Sequence, residues 1–177
     1  MKTKTTLLRA SLASLGIVAT LGMAHASAAG PDPSFGDGGR ADLSQVKLLR
    51  EGLEAMAVGR ESIFVSTPRG LISRLDTDGD LDMSFGGGDG TAPAAPFLVR
   101  LRERSRVPSL AIQKDGKVVV AGSYGPRPLL SRLTTDGTLD PSFGDRGAIL
   151  NRKDLYGEKL RAFTDVAIDR TGRILVS

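Results

Sequence analysis

Four aspartates, Asp76, Asp78, Asp80 and Asp82, alternate around Gly79. Several hard oxygen ligands on a tight glycine turn suit Ca2+. The spacing resembles the start of a calcium loop but lacks the distal bidentate glutamate of an EF-hand. A second reading is a solvated hairpin turn, because the similar stretch from Thr134 to Asp140 keeps only Asp136 and Asp140. Four arginines, Arg100, Arg102, Arg104 and Arg106, alternate with Leu101, Glu103 and Ser105. On an extended segment a period of two sets all four guanidinium groups on one side. Such forks suit phosphate, sulfate and carboxylate groups. The stripe is therefore a candidate anion-binding site, for lipopolysaccharide or an acidic polysaccharide. Its plainer reading is a charged strand edge that deters aggregation.

The chain has one histidine, His25, and neither cysteine nor tryptophan. His25 falls inside an N-terminal leader. The remainder has no residues for a Ser-His-Asp or Cys-His triad, for zinc held by His or Cys, or for haem held by His. General acid–base work would fall to carboxylates, Lys or Tyr. No disulfide can form, so stability must come from packing and strand pairing.

The leader reads as a secretory signal peptide over residues 1–28. Lys2, Lys4 and Arg9 form its basic start, an apolar stretch runs from Leu12 to Ala24, and Ala26-Ser27-Ala28 fits a cleavage site. The apolar run is shorter than the ~20 residues of a spanning helix. No second apolar run follows, so no membrane span is expected after cleavage. The formal net charge is +4. The three basic leader residues supply most of it, so the balance gives no support to a nucleic-acid partner. Secretion, to the periplasm or the cell surface, is the expected destination.

The elements that must position the candidate residues follow from internal repetition. Asp32-Pro33-Ser34-Phe35-Gly36 returns as Asp82-Met83-Ser84-Phe85-Gly86 and as Asp140-Pro141-Ser142-Phe143-Gly144. The stretch Leu71 to Asp82 returns as Leu129 to Asp140, and Leu110 to Ala121 returns as Val166 to Ser177. A degraded copy of the last block, with a shorter turn, lies at Ala57-Val58 and Ile63 to Ser66. Each unit reads as four short strands, with Asp-Gly or Thr-Gly between apolar runs as the hairpin signal. The expected strands are 108–113, 117–122, 128–134 and 138–143, with a matching set near 54–85. Pro31 to Gly36 is expected as the fourth strand of a further blade. Ser44 to Ala57 alone has helix-like spacing, in a connection. Sheets that must bury both faces stack around an axis as propeller blades. Phe35, Phe85 and Phe143 are expected to pack blade against blade.

The run from Ala111 to Gly122, joined to Ser131 through Gly144, resembles the bacterial delta-60 repeat. That resemblance covers nearly all of residues 29–177. It implies a β-propeller-like fold in an exported or surface protein and assigns no catalytic residue. The fold class is thus all-β, with four-stranded antiparallel units stacked as a partial, open propeller. Two blades near 54–86 and 108–144 are flanked by fragments at 31–36 and 164–177. A ring needs about four to eight blades, so the chain is expected to be part of a longer protein or to close a ring by association through open blade edges. The expected role is a non-catalytic binding or scaffold module with no cofactor, facing a protein or an anionic glycan. The alternative is a lactonase-like propeller hydrolase using carboxylates and Ca2+.

Overall fold

The computed structural model describes residues 31–41, 52–94, 105–150 and 160–177. The leader, most of the stretch from Ser44 to Ala57, and Arg100, Arg102 and Arg104 lie outside them. Strands β1 (Ala55–Val58), β2 (Ile63–Ser66), β3 (Leu71–Leu75) and β4 (Thr91–Pro93) form one sheet in that order. Strands β5 (Ser105–Ile112), β6 (Val118–Tyr124), β7 (Arg127–Leu133) and β8 (Ala148–Leu150) form a second. Strands β9 (Val166–Ile168) and β10 (Ile174–Val176) make a two-stranded start to a third. All pairings are antiparallel. The chain is an all-β protein built as an open partial β-propeller.

The second strand of each blade explains why the sheets stack. Every residue of β6 is buried. Val118 and Val120 join a core with Phe64, Ile72, Phe85 and Val107, between the first and second sheets. Val119 and Ala121 point the other way, into a core with Leu130, Phe163 and Val166, against the β9–β10 hairpin. β2 divides likewise: Phe64 joins the core between the sheets, while Ile63 and Val65 pack with Phe35 and Leu75. Side chains alternate across a strand. A strand apolar on both sides is therefore stable only between two neighbours, which is why its sequence is a β-branched run rather than an alternating one.

The hairpins between first and second strands are close to expectation. Gln113 N–H donates to the Lys117 carbonyl and Gly116 N–H to the Gln113 carbonyl, at 2.8 and 2.9 Å. The positive φ falls on Gly116 alone, at 82°. This is a type I turn completed by a left-handed glycine.

The fourth strand required correction. Leu139 to Phe143 is not a strand, and neither is the stretch before Phe85. Leu81 and Leu139 each contribute one isolated bridge, to Leu75 and Leu133. The chain then curls, because the Asp140 carboxylate accepts both the N–H and the hydroxyl of Ser142, at 3.0 and 2.7 Å. Asp82 does the same with Ser84, at 3.0 and 2.6 Å. An aspartate that captures the backbone two residues on competes with strand pairing. The outer strand forms only after the following glycines, at β4 and β8. The blades accordingly reach Pro93 and Leu150 rather than ending near 86 and 144. Pro31 to Gly36 is corrected for the same reason: Asp32 accepts from Ser34 in the same turn. The helix-like spacing fails where it can be checked, since Ala55 to Ala57 lie in β1.

Candidate functional site

The antiparallel order gives every blade two unlike ends. One gathers the Asp-Gly turns and the Asp-x-Ser-Phe-Gly loops. The other gathers the β2–β3 and β6–β7 turns and the starts of β1, β5 and β9.

At the turn end, one constellation occurs twice. Arg74 Nε donates to Asp82 and its Nη2 to the Ser84 hydroxyl, at 2.8 and 2.9 Å. Arg132 does the same to Asp140 and Ser142, also at 2.8 and 2.9 Å. Each guanidinium lies over the following phenylalanine ring, 5.1 Å from the centre of Phe85 and 4.7 Å from that of Phe143. The arginine thus fixes loop and ring together. Sequence reasoning missed it, although the signal was there: Ser-Arg-Leu recurs with aspartate at the same distance downstream. In the second blade Lys117 adds a bond to Asp140 at 2.9 Å. The Ser142 hydroxyl, then Lys117, hold the Asp140 carboxyl well below the usual range. The Ser84 hydroxyl lowers Asp82 in the same way. Asp140 in turn raises Lys117.

This end also couples the blades. Gly86 N–H donates to the Asp136 carbonyl of the next blade at 2.9 Å, and the Phe85 ring covers Gly137. A Cβ on Gly137 would lie 2.7 Å from Gly86 N and 3.0 Å from the ring. Arg74 Nη1 donates to the Thr135 carbonyl. One step earlier, Gly36 N–H donates to the Asp78 carbonyl and the Phe35 ring covers Gly79. The repeated Phe-Gly is thus a seat for the Asp-Gly turn of the following unit.

The four aspartates of the calcium reading sit on that turn. Asp76 accepts the N–H groups of Asp78 and Asp80, at 3.0 and 2.9 Å. Asp82 faces Arg74 and Ser84, while Asp78 and Asp80 are exposed. In the equivalent turn, the Thr134 hydroxyl and then Thr138 pull Asp136 down to about 2. Asp169, bonded by Thr171 and Arg173, is also held at about 2. Among the described residues, no group of three or more His, Cys, Asp or Glu is gathered so as to hold a metal ion.

The opposite end carries arginine. Arg69 lies in the β2–β3 turn and Arg127, at the equivalent repeat position, is the first residue of β7; both are exposed. Arg106, the one described member of the stripe, pairs across the sheet with Ser123, and the next pair along includes Tyr124, which also faces Arg127. Register therefore places Arg106 and Arg127 at the same end of the second blade, in adjacent rows and so on opposite faces of the sheet. Arg106 Nε donates to Glu54 at 3.0 Å, and Glu54 also accepts Val107 N–H at 2.9 Å. Glu54 is 11% exposed and Arg106 71%. The carboxylate ties β1 to β5, while the guanidinium keeps most of its surface in solvent. Asp165 is similarly engaged, accepting the Ser109 hydroxyl at 2.7 Å. Further bonds cross between blades in the interior: the Ser66 hydroxyl donates to the Val107 carbonyl at 2.8 Å, and the Ser131 hydroxyl to the Ala94 carbonyl at 2.6 Å.

Comparison with known families agrees with this geometry. A family model described as a domain of unknown function (DUF5122) beta-propeller matches residues 57–85 and 113–143. Both matched stretches end on the phenylalanine of a seat. No curated protein matches the chain. Among the described residues, no helix is long and apolar enough to cross a membrane.

Proposed function

We propose that the protein is an exported, non-catalytic binding or scaffold module whose arginine-bearing end takes an anionic glycan. One observation carries this reading: the two ends of the blades use their charges differently. At the turn end, Asp82, Asp136, Asp140 and Asp169 are bonded to hydroxyls, backbone N–H groups or cations of their own turns. Carboxylates with lowered pKa are weak general bases, so these groups serve the fold rather than a reaction. At the other end, Glu54 is largely buried and bonded to β5 and the exposed Asp165 accepts the Ser109 hydroxyl, while Arg127 and most of Arg106 face solvent. Exposed guanidinium groups on a rigid edge suit sulfate, phosphate or uronate groups.

The test is binding of the exported protein to heparin and to lipopolysaccharide at several salt concentrations. Replacing Arg100, Arg102, Arg104 and Arg106 with Ser is expected to weaken binding and flatten its salt dependence, because exposed charge contacts are screened. Arg127→Ser is expected to add to that loss. Binding that is unchanged in both variants would leave the arginines as edge protection only.

A further inference from the structure

The dipeptide Asp-Gly occurs five times, starting at Asp37, Asp78, Asp89, Asp115 and Asp136. It has a chemistry of its own. Glycine has no Cβ to shield its nitrogen, so that nitrogen can attack the Cγ of the preceding aspartate. The attack requires the glycine N–H to leave its acceptor and the carboxyl group to leave its donors. By sequence the five sites are alike, and the fold separates them.

Four of the five glycine N–H groups are donated. Gly79 N–H goes to the Asp76 carbonyl at 3.3 Å, Gly90 N–H to that of Phe85 at 3.0 Å, Gly116 N–H to that of Gln113 at 2.9 Å and Gly137 N–H to that of Thr134 at 3.0 Å. Gly79 and Gly137 also lie against the Phe35 and Phe85 rings, and Gly90 against Leu81. Three of the carboxylates are held as well. Asp136 accepts the Thr134 hydroxyl and both the N–H and the hydroxyl of Thr138. Asp89 accepts the N–H and the hydroxyl of Thr91, and Asp115 accepts Lys117 N–H. Asp37-Gly38 differs on both counts. Among the described residues, Gly38 N–H has no acceptor and the Asp37 carboxylate has no donor. Both residues are exposed. Apart from its chain neighbours, no described atom lies within 4 Å of where a Gly38 Cβ would stand.

The second blade holds a matched loop, Asp145-Arg146. In the first loop Asp37 N–H donates to the Arg40 carbonyl and Gly39 N–H to that of Phe35, both at 2.8 Å. In the second, Asp145 N–H donates to the Ala148 carbonyl at 2.7 Å and Gly147 N–H to that of Phe143 at 2.8 Å. The φ angle is 58° at Gly38 and 51° at Arg146. The backbones agree, and the residue after the aspartate differs.

We propose that Asp37 is a site of spontaneous isomerisation to isoaspartate. The Gly38 nitrogen bonds to Asp37 Cγ, and its proton leaves with the carboxyl oxygen as water, closing a succinimide ring. Water then adds back. Breaking the nitrogen bond to Cγ restores aspartate, whereas breaking the bond to the Asp37 backbone carbonyl carbon leaves the chain running through Cβ and Cγ. The other four sites react only when their turns open, because their hydrogen bonds hold the nitrogen in place.

The test incubates the full chain at neutral pH, folded and in urea, and measures isoaspartate in each Asp-Gly peptide by mass spectrometry with electron-transfer fragmentation. In urea all five peptides are expected to gain it. In the folded chain Asp37 should keep a rate close to its unfolded one, while the other four slow at least several-fold. Protection of Asp37 equal to that of Asp136, or a faster gain at Asp115 than at Asp37, would overturn the proposal. Gly38→Arg copies the loop of the second blade, so the backbone is kept while the nitrogen is shielded. It should suppress the gain at Asp37 and leave the other four peptides unchanged; an undiminished gain at Asp37 would rule out the attack by the Gly38 nitrogen.

Discussion

The two complete blades carry the same Arg-Asp-Ser-Phe constellation with matching bond lengths, yet they differ in what surrounds it. Phe85 is fully buried and lies edge-on to Phe64, with ring centres 5.6 Å apart. Phe143 is half-buried. Asp82 is 30% exposed at its side chain, whereas Asp140 is 6% exposed and has Lys117 as a second cation. Identical local chemistry therefore does not give identical burial. The motif makes the seat, and the neighbouring unit decides how much stability the seat contributes.

The sharpest way to break this comparison is to remove the ring. Phe85→Ala is expected to destabilise by about 3–5 kcal/mol, the usual cost for a fully buried phenylalanine. Phe143→Ala in the natural chain should cost less than half of that. Urea titration of both variants checks it, and equal losses would show that the neighbour does not matter.

The turn glycines give a second contrast. Gly137 and Gly172 have nearly the same φ, 88° and 86°, but only Gly137 lies under a ring. Gly172→Ala should show backbone strain alone, about 1–2 kcal/mol. Gly137→Ala adds a clash with Gly86 and Phe85 and should cost clearly more. Thermal unfolding of the pair measures the difference.

A smaller contrast involves equivalent serines. Ser131 is buried and donates to Ala94 of the preceding blade, so Ser131→Ala is expected to cost about 1 kcal/mol. Ser73, at the same place in the first blade, is buried with its hydroxyl unpaired among the described residues. Ser73→Ala should be neutral or slightly stabilising, because it removes a buried hydroxyl without breaking a bond. Equal losses in denaturant would refute the distinction.

Acid should act on both blades together. Asp136 and Asp169 are held at about 2, and Asp82 and Asp140 are lowered as well. An unfolded aspartate titrates near ~3.9. Because the folded values are the lower ones, this stabilisation is complete only above about pH 5 and is lost as pH falls through about 4 toward about 2. The melting temperature should decline across that window. Asp140→Asn should flatten part of the decline; an unchanged profile would show that Asp140 is not a principal contributor.

Much of this was legible in the sequence. The repeat, the hairpins at Asp115-Gly116 and Thr171-Gly172, the β-branched second strands and the packing role of the phenylalanines all follow from residue type and spacing. Those features are local, or they recur, and either property makes a pattern readable. The fourth strand was misread because Leu139 to Phe143 is apolar enough for a strand, while the Ser142 N–H that would serve a ladder is taken by the Asp140 side chain. Arg132 also reaches Asp140 from another strand, a contact that spacing within the loop does not reveal. The candidate sites were legible only as residue types. Spacing proposed the four aspartates as one cluster, but Asp82 turns to Arg74 while Asp76 turns to its own backbone.

By itself the sequence determined the strand periodicity, the unit length and the absence of histidine and cysteine chemistry after His25, because these are properties of order and composition. Only the tertiary structure decided that the Phe-Gly of one unit seats the Asp-Gly turn of the next, and that Glu54 ties Arg106 of β5 to the start of β1. Those relations join residues far apart in the chain. They arise when a sheet with two apolar faces finds a neighbour for each, which no single repeat can encode alone.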